Sequence, residues 1–315
     1  MPTVGIYGAG QLGNGVARIL RSRGRHQVLG PYPRAQRIDA LTGGADVVLI
    51  ATTTRLHDIL PDVRTAVASG SNVLISAEES ANPWLVDPIA ANEVSAAAVQ
   101  AGVTVLGAGL NPGLIFDALV LTVIGAASDD VEIAVRRTVD ISGFGPTVLS
   151  RIGVGITPAD FEIGVDAGDV LGHAGFPQSM SVVARALGLT LDGIEPQLAP
   201  LIATKGVTLA DGRLIAAGLT AGVDQTYRAF VDGRPWYTAH FVGHVQPAEA
   251  GLAVQDVITL LRGDEIVHEV QVRPGFPAQS GSQHVLANSV DRVIAAPAGW
   301  LTVSDLPPAA RHTGH

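Results

Sequence analysis

The chain has 315 residues, a formal charge of −9, 47% hydrophobic residues and no cysteine. That length and apolar content suit about two domains with real cores and exclude disorder, and the missing thiols exclude a disulfide scaffold, a thiolate metal site and a cysteine nucleophile. An acidic chain with one lysine, Lys205, among 20 basic residues lacks the footprint for nucleic acid and leaves Schiff-base chemistry a single home.

Met1-Pro2 leads into an apolar segment without the basic flank of a signal peptide. The most apolar stretch, 110–127, contains Asn111, Pro112 and Asp117 and falls short of a span of roughly 20 residues. The expectation is a soluble, cytoplasmic protein with no membrane partner.

Residues 3–7 form a short apolar run that stops at Gly8-Ala9-Gly10-Gln11-Leu12-Gly13, after which Val16, Ala17, Ile19 and Leu20 recur at helical spacing. Strands are predicted over 26–30, 46–51, 72–76 and 103–106, with helices over 56–69 and 86–101 between them. Strands alternating with helices imply a parallel, doubly wound sheet, an α/β Rossmann domain over 1–118. The Gly8/Gly10/Gly13 spacing then reads as a dinucleotide turn, with Gln11 and Leu12 inside it and the helix N-terminus toward a pyrophosphate.

The acid that would hold the ribose 2′-OH of NAD is missing after the second strand, which instead offers Tyr32, Arg34 and Arg37. An arginine contact to a 2′-phosphate favours NADP, with NAD as the alternative; equally, the two arginines could begin the next helix as a solvated face. Ala51, Thr52 and Thr53 close the third strand, at the sheet edge where a cofactor would lie; threonines there also suit a strand or a helix cap. The fourth strand delivers Ala77, Glu78 and Glu79 to the same edge, near a nicotinamide or at a helix start opposing its dipole. Asn111 and Pro112 follow the fifth strand in a Gly- and Pro-rich corner that shapes backbone and could present an amide.

Beyond residue 120, strands over 131–139, 227–231 and 265–272 and helices over 165–171 and 178–187 suggest a second, α+β domain of mixed sheet over 119–280. A helix over 285–294 begins a segment, 281–315, that packs back on the first domain. The nine histidines form no H-E-x-x-H pair, so no metal site is expected; His173, framed by glycines, is the most loop-like of them.

Six segments together carry a resemblance: the Gly8–Gly13 turn, 46–52, Asn-Val-Leu-Ile-Ser-Ala-Glu-Glu-Ser at 72–80, Gly-Ala-Gly-Leu-Asn-Pro-Gly at 107–113, Gly-His-Ala-Gly-Phe-Pro-Gln-Ser at 172–179 and Ala-Ala-Pro-Ala-Gly-Trp at 295–300. Nearly end to end, the chain resembles the dihydrodipicolinate-reductase-like superfamily, and within it the 2,4-diaminopentanoate and native amine dehydrogenases. The resemblance implies an NAD(P)-dependent oxidoreductase that aminates small ketones or aldehydes with ammonia, reversibly, as a homodimer. It implies Glu79 as the acid/base, at the position of the lysine in the Glu-Lys-Pro motif of glucose–fructose-oxidoreductase-like enzymes. Glu78 would lie by the nicotinamide or the cationic amine, and Asn111, Pro112 and His173 in the substrate pocket. Neither the paired histidines nor the second-domain lysine of dihydrodipicolinate reductases is present, so that activity is not expected. Leu114 and Leu119 stand where relatives place larger rings, and Arg137, Arg151 or Arg273 would have to meet a substrate carboxylate. The alternatives are a diamino acid dehydrogenase of the 2,4-diaminopentanoate kind and a non-catalytic NADP-binding sensor.

Overall fold

A computed structural model describes residues 1–128, 130–209 and 211–310. Two compact units share the chain: Met1–Leu121 with Pro177–Gly188 and the residues from Ala278 onward, and Thr122–Phe176 with Leu189–Pro277. No helix among the described residues is long and apolar enough to cross a membrane.

In the first unit the elements run β1 (Thr3–Tyr7), α1 (Gln11–Arg23), β2 (Gln27–Tyr32), α2 (Arg37–Thr42), β3 (Val47–Ile50), α3 (Leu56–Ala68), β4 (Asn72–Ile75), α4 (Pro88–Ala101) and β5 (Thr104–Gly107). The sheet is parallel, with Gly299–Leu301 added at one edge: Gly299–Leu301, β5, β4, β3, β1, β2. This is the Rossmann-type, doubly wound sheet expected from the alternating apolar runs. Because successive strand side chains point to opposite faces, each run feeds two cores. Val48, Ile50, Val73 and Ile75 pack with α3 and α4, whereas Val47, Leu49 and Leu74 pack with Val16 and Leu20 of α1 and with Leu286 and Val290 of the helix Ala278–Ala295. The closing segment, 281–315 in the sequence reading, thus supplies part of the first unit's core through residue 303; its last five residues lie outside those described.

Helix ends follow local chemistry. Asp87 caps α4 by accepting from Ala90 N at 2.9 Å, and Gly102, at φ +70°, stops it in the left-handed region. The helix expected over 165–171 instead spans Pro158–Ala167, because Thr157 accepts from Asp160 N, Pro158 opens the first turn and Gly168 ends it at φ +75°. The helix expected over 178–187 spans Phe176–Ala186 and joins the first unit, where Val182 enters the core beside Leu286.

The second unit is built on a six-stranded mixed sheet, ordered Glu265–Val272, Gln255–Arg262, Glu132–Asp140, Arg234–His244, Thr220–Val231 and Gly193–Ile202. Only Glu132–Asp140 and Arg234–His244 run parallel. Ile133, Val135, Tyr237, Ala239, Phe241, Ile258 and Leu260 alternate along these strands and are buried. Arg137 and Asp256, both almost fully buried, pair at 2.5 Å across adjacent strands, and the pair also holds both backbone polar groups of Phe276.

Candidate active site

All five strands β1 to β5 deliver their carboxyl ends to one edge of the first unit, and the order reverses between β1 and β3, the switch point where open sheets receive ligands. Backbone bonds extend the ladder past the strands: Gly8 N to Tyr32 O, Ala51 N to Tyr7 O, Ser76 N to Ile50 O and Ala108 N to Ile75 O, at 2.8–3.0 Å. Gly8 has φ +124°, and a Cβ there would lie 2.2 Å from Ala51 O, so the turn after β1 and the end of β3 are in direct apposition. A Cβ on Gly13 would fall 1.9 Å from Gly8 O, whereas one on Gly10 would meet nothing within 4 Å. Two glycines are therefore demanded by the protein itself, and Gly10 leaves open space.

Gly10 supplies no side-chain cap to α1, and no acid lies in its first turn. The Asn14 amide donates to Ala9 O and Gly10 O, holding the turn from below. An uncapped, acid-free helix N-terminus beside an empty glycine cradle fits the pyrophosphate of a dinucleotide. Gln11 and Leu12 belong to this first turn, and Gln11 Nε2 donates to Gln279 Oε1 at 2.6 Å.

At the end of β2, Tyr32 is half-buried against the core cluster that also includes Tyr7 and Ile50. The Arg34 side chain is exposed and has no polar partner among the described residues, whereas Arg37 opens α2 and its Nε donates to the buried Asp62 of α3. Asp62 orients one edge of that guanidinium and leaves its terminal nitrogens for other acceptors. Sequence reading missed Asp62, since an acid inside an amphipathic helix reads as solvated.

At the end of β3, Ala51, Thr52 and Thr53 are half-buried, and Thr53 Oγ1 donates to Asp58 Oδ2 at 3.2 Å. At the end of β4, Ala77 is buried and the chain turns through a single 3-10 turn, Glu78–Ala81. Glu78 and Glu79 are half-buried. The Glu79 carboxylate takes up the start of α3: its Oε2 accepts from Leu56 N at 2.7 Å, while Glu79 N donates to Thr54 O. Oε1 has no hydrogen-bond partner among the described residues. A Cβ on Gly107 would stand 2.3 Å from Ser80 O, so β5 can pass this turn only with glycine.

After β5, Asn111 and Pro112 lie in a closed turn, with Ile115 N bonded to Leu110 O and a Gly113 Cβ excluded by Gly109 at 2.4 Å. Both polar atoms of the Asn111 amide are buried and have no hydrogen-bond partner among the described residues. Asp117, fully buried, accepts from Gly113 N, Ala118 N and Ser179 Oγ; burial pushes its carboxyl above the ordinary range while those donors oppose the shift. An acid just before the apolar run 118–124 is a helix-start signal that could have singled it out.

His173 lies in the second unit. Its ring stands 5.0 Å from that of Phe241 and 5.5 Å from that of Phe176, and its backbone N donates to Gln225 Oε1 at 2.8 Å. Loss of hydration pushes its pKa down to about 4; the bond to Ala174 O opposes this, and the charges of Arg137 and Arg151 add to it. At neutral pH the imidazole is thus uncharged, with Nδ1–H donating to Ala174 O at 2.6 Å and Nε2 carrying the lone pair. Of the arginines considered for a carboxylate, Arg137 is committed to Asp256, Arg273 is exposed with its Nε on Gln255, and Arg151 holds the Leu171–Gly172 backbone through its carbonyl.

The model of the 2,4-diaminopentanoate dehydrogenase C-terminal domain matches residues 114–314. The 2,4-diaminopentanoate dehydrogenase of Acetoanaerobium sticklandii is 31% identical over 96% of this chain and 92% of its own length. An amine dehydrogenase from Mycobacterium smegmatis has the same fold, with a TM-score of 0.85 at 22% identity over 99% of this chain and 97% of that one. Family model and full-length relative agree, and the chain belongs to the 2,4-diaminopentanoate dehydrogenase family of oxidoreductases.

Proposed function

We propose that the protein is an NAD(P)-dependent amine dehydrogenase, with NADP as its preferred cofactor and small ketones or aldehydes as its carbonyl substrates. The observation that carries the reading is Glu79: a carboxylate at the carboxyl edge of the Rossmann sheet, oriented by Leu56 N through one oxygen and unpartnered at the other. A sensor would need no such group beside its cofactor turn. The bound dinucleotide supplies the hydride in the overall reaction, in which ketone, ammonia, NAD(P)H and a proton give primary amine, NAD(P)⁺ and water.

Glu79 Oε1 takes a proton from the nitrogen that has added to the carbonyl and delivers it to the hydroxyl leaving as water. The same carboxylate, when ionised, stabilises the cationic iminium carbon that receives hydride, where a lysine would repel it. Glu78, its neighbour on the turn, holds the cationic amine. Asn111 offers an amide with no partner among the described residues, and the neutral His173 offers Nε2 as an acceptor for a substrate N–H. Gly8, Gly10, Gln11, Leu12 and Gly13 would hold the pyrophosphate, with Ala51, Thr52, Thr53 and Ala77 along the same edge. Tyr32, Arg34 and Arg37 would hold the adenosine ribose, and the two arginines would receive its 2′-phosphate. On this reading the enzyme is a homodimer, as the family resemblance implies.

The full-length similarity to a 2,4-diaminopentanoate dehydrogenase favours a second reading, in which the substrate is a diamino acid. One assay separates the readings: NADPH and NADH oxidation followed with 2-pentanone, cyclohexanone and an amino-keto acid, each with and without ammonium. Ammonium-dependent turnover of the plain ketones is expected. Turnover confined to the amino-keto acid identifies the diamino acid enzyme, turnover independent of ammonium a carbonyl reductase, and NADPH binding without turnover the sensor.

A further inference from the structure

Two of the segments singled out in the sequence, 107–113 and 172–179, are joined by one buried carboxylate. Asp117 Oδ2 accepts from Gly113 N at 2.7 Å and from Ser179 Oγ at 2.8 Å, and Oδ1 accepts from Ala118 N at 2.7 Å. The residue is fully buried and has no ion-pair partner among the described residues. A buried carboxylate lacking a counter-ion is an expensive way to tie a turn, and an apolar residue is the cheaper filler. What the carboxylate alone provides is two oxygens that both accept; an asparagine would turn an NH₂ toward one of the donors.

The turn it ties is tight. Gly113 has φ +125°, and Gly109 N and O crowd the place of its Cβ at 2.4 Å. Within that turn sits Asn111, whose amide makes no hydrogen bond among the described residues although both its polar atoms are buried. Leaving such a group unbonded is costly, and it gains more than other groups when a ligand reaches it. A loose turn would let the amide rotate to a backbone partner or to water.

We propose that Asp117 and Ser179 are positioning residues for the reaction, holding the Gly109–Gly113 turn so that the Asn111 amide stays unbonded to protein and meets the polar groups of the carbonyl substrate. The substrate class fits the amide: the Asn111 NH₂ donates to the oxygen of the carbonyl or carbinolamine, and its oxygen accepts from the adding nitrogen. This rests on the amine dehydrogenase reading.

The test is a double-mutant cycle on the full chain between Ser179→Ala and Asn111→Ala, using whichever panel ketone the wild-type enzyme turns over fastest. Ser179→Ala is expected to lower kcat/KM for the ketone about tenfold, with the KM for NADPH within about twofold, and Ser179→Thr to restore it. In the Asn111→Ala background Ser179→Ala should cause no further loss. Asp117→Asn should show the same coupling more severely, and if it does not fold the serine cycle stands alone. Losses that simply multiply, a Ser179→Ala enzyme with unchanged kcat/KM, or a full-activity Asn111→Ala enzyme would each overturn the proposal. Ketone reduction that ignores ammonium would remove the amination reading instead, leaving the cycle readable on that reduction.

Discussion

Glu79 Oε2 accepts a hydrogen bond from Leu56 N at 2.7 Å, so a carboxylate at the end of β4 caps the helix that follows β3. The residue at the N-cap of α3, Arg55, makes no side-chain cap of its own. An anion at a helix N-terminus is satisfied by both the free N–H and the dipole. The acid/base proposed for this enzyme is therefore held by a structural bond, and its second oxygen is the one left for chemistry.

Glu79→Gln keeps an amide oxygen for Leu56 N, so the fold and NADPH affinity should survive while turnover falls at least about 100-fold. Glu79→Ala should in addition lose about 1 kcal/mol of stability with the cap. Steady-state kinetics beside thermal melting checks both; an active Glu79→Gln enzyme together with an inactive Glu78→Gln enzyme would move the role to Glu78.

Gly10→Ala and Gly13→Ala should separate ligand space from fold space. The first adds a methyl that meets no protein atom, so the melting temperature should hold while the KM for NADPH rises. The second forces its Cβ to within 1.9 Å of Gly8 O and should lower both stability and cofactor affinity. Equal melting losses in the two variants would contradict this division.

Arg34 and Arg37 should also behave differently. Arg34→Ala is expected to lower kcat/KM for NADPH about tenfold and leave NADH unaffected, since a charged hydrogen bond to the 2′-phosphate disappears. Arg37→Ala should lose stability as well, because Asp62 is left buried without its partner. Kinetics with both cofactors decides it, and matched losses with NADH would show that Arg34 does not read the 2′-phosphate.

His173 predicts a pH dependence of stability. Its pKa is pushed down to about 4 in the folded chain from an ordinary 6.5, so the unfolded chain binds its proton first as pH falls. The stability linked to this group is thus complete above about pH 6.5 and is lost progressively down to about pH 4. Denaturant melts of wild type and His173→Gln across that window should converge toward acid; parallel curves would show that the imidazole is not desolvated.

Local signals were easiest to read where one segment contains its own reasons. The strand at 3–7, the glycine turn and α1 announce themselves through period, φ demands and an apolar stripe, and the structure has them there. The strands Gly193–Ile202, Arg234–His244 and Gln255–Arg262 escaped notice because what makes them strands is pairing with distant partners across a half-exposed sheet. Likewise nothing near residues 176–186 tells that this helix belongs with a core formed from residues 4–108 and 286–303.

By itself the sequence determined the chemistry on offer: no thiol, one lysine, a dinucleotide turn after the first strand and two adjacent carboxylates after the fourth. Periodicity and turn residues act over a few positions, and they suffice for that. Tertiary structure alone decided what each group is bonded to: Glu79 to Leu56, Arg37 to Asp62, Asp117 to Ser179 across 62 positions, and the Asn111 amide to none of the described residues. Hydrogen-bond partners are set by distance in space, which the order of residues along the chain does not state.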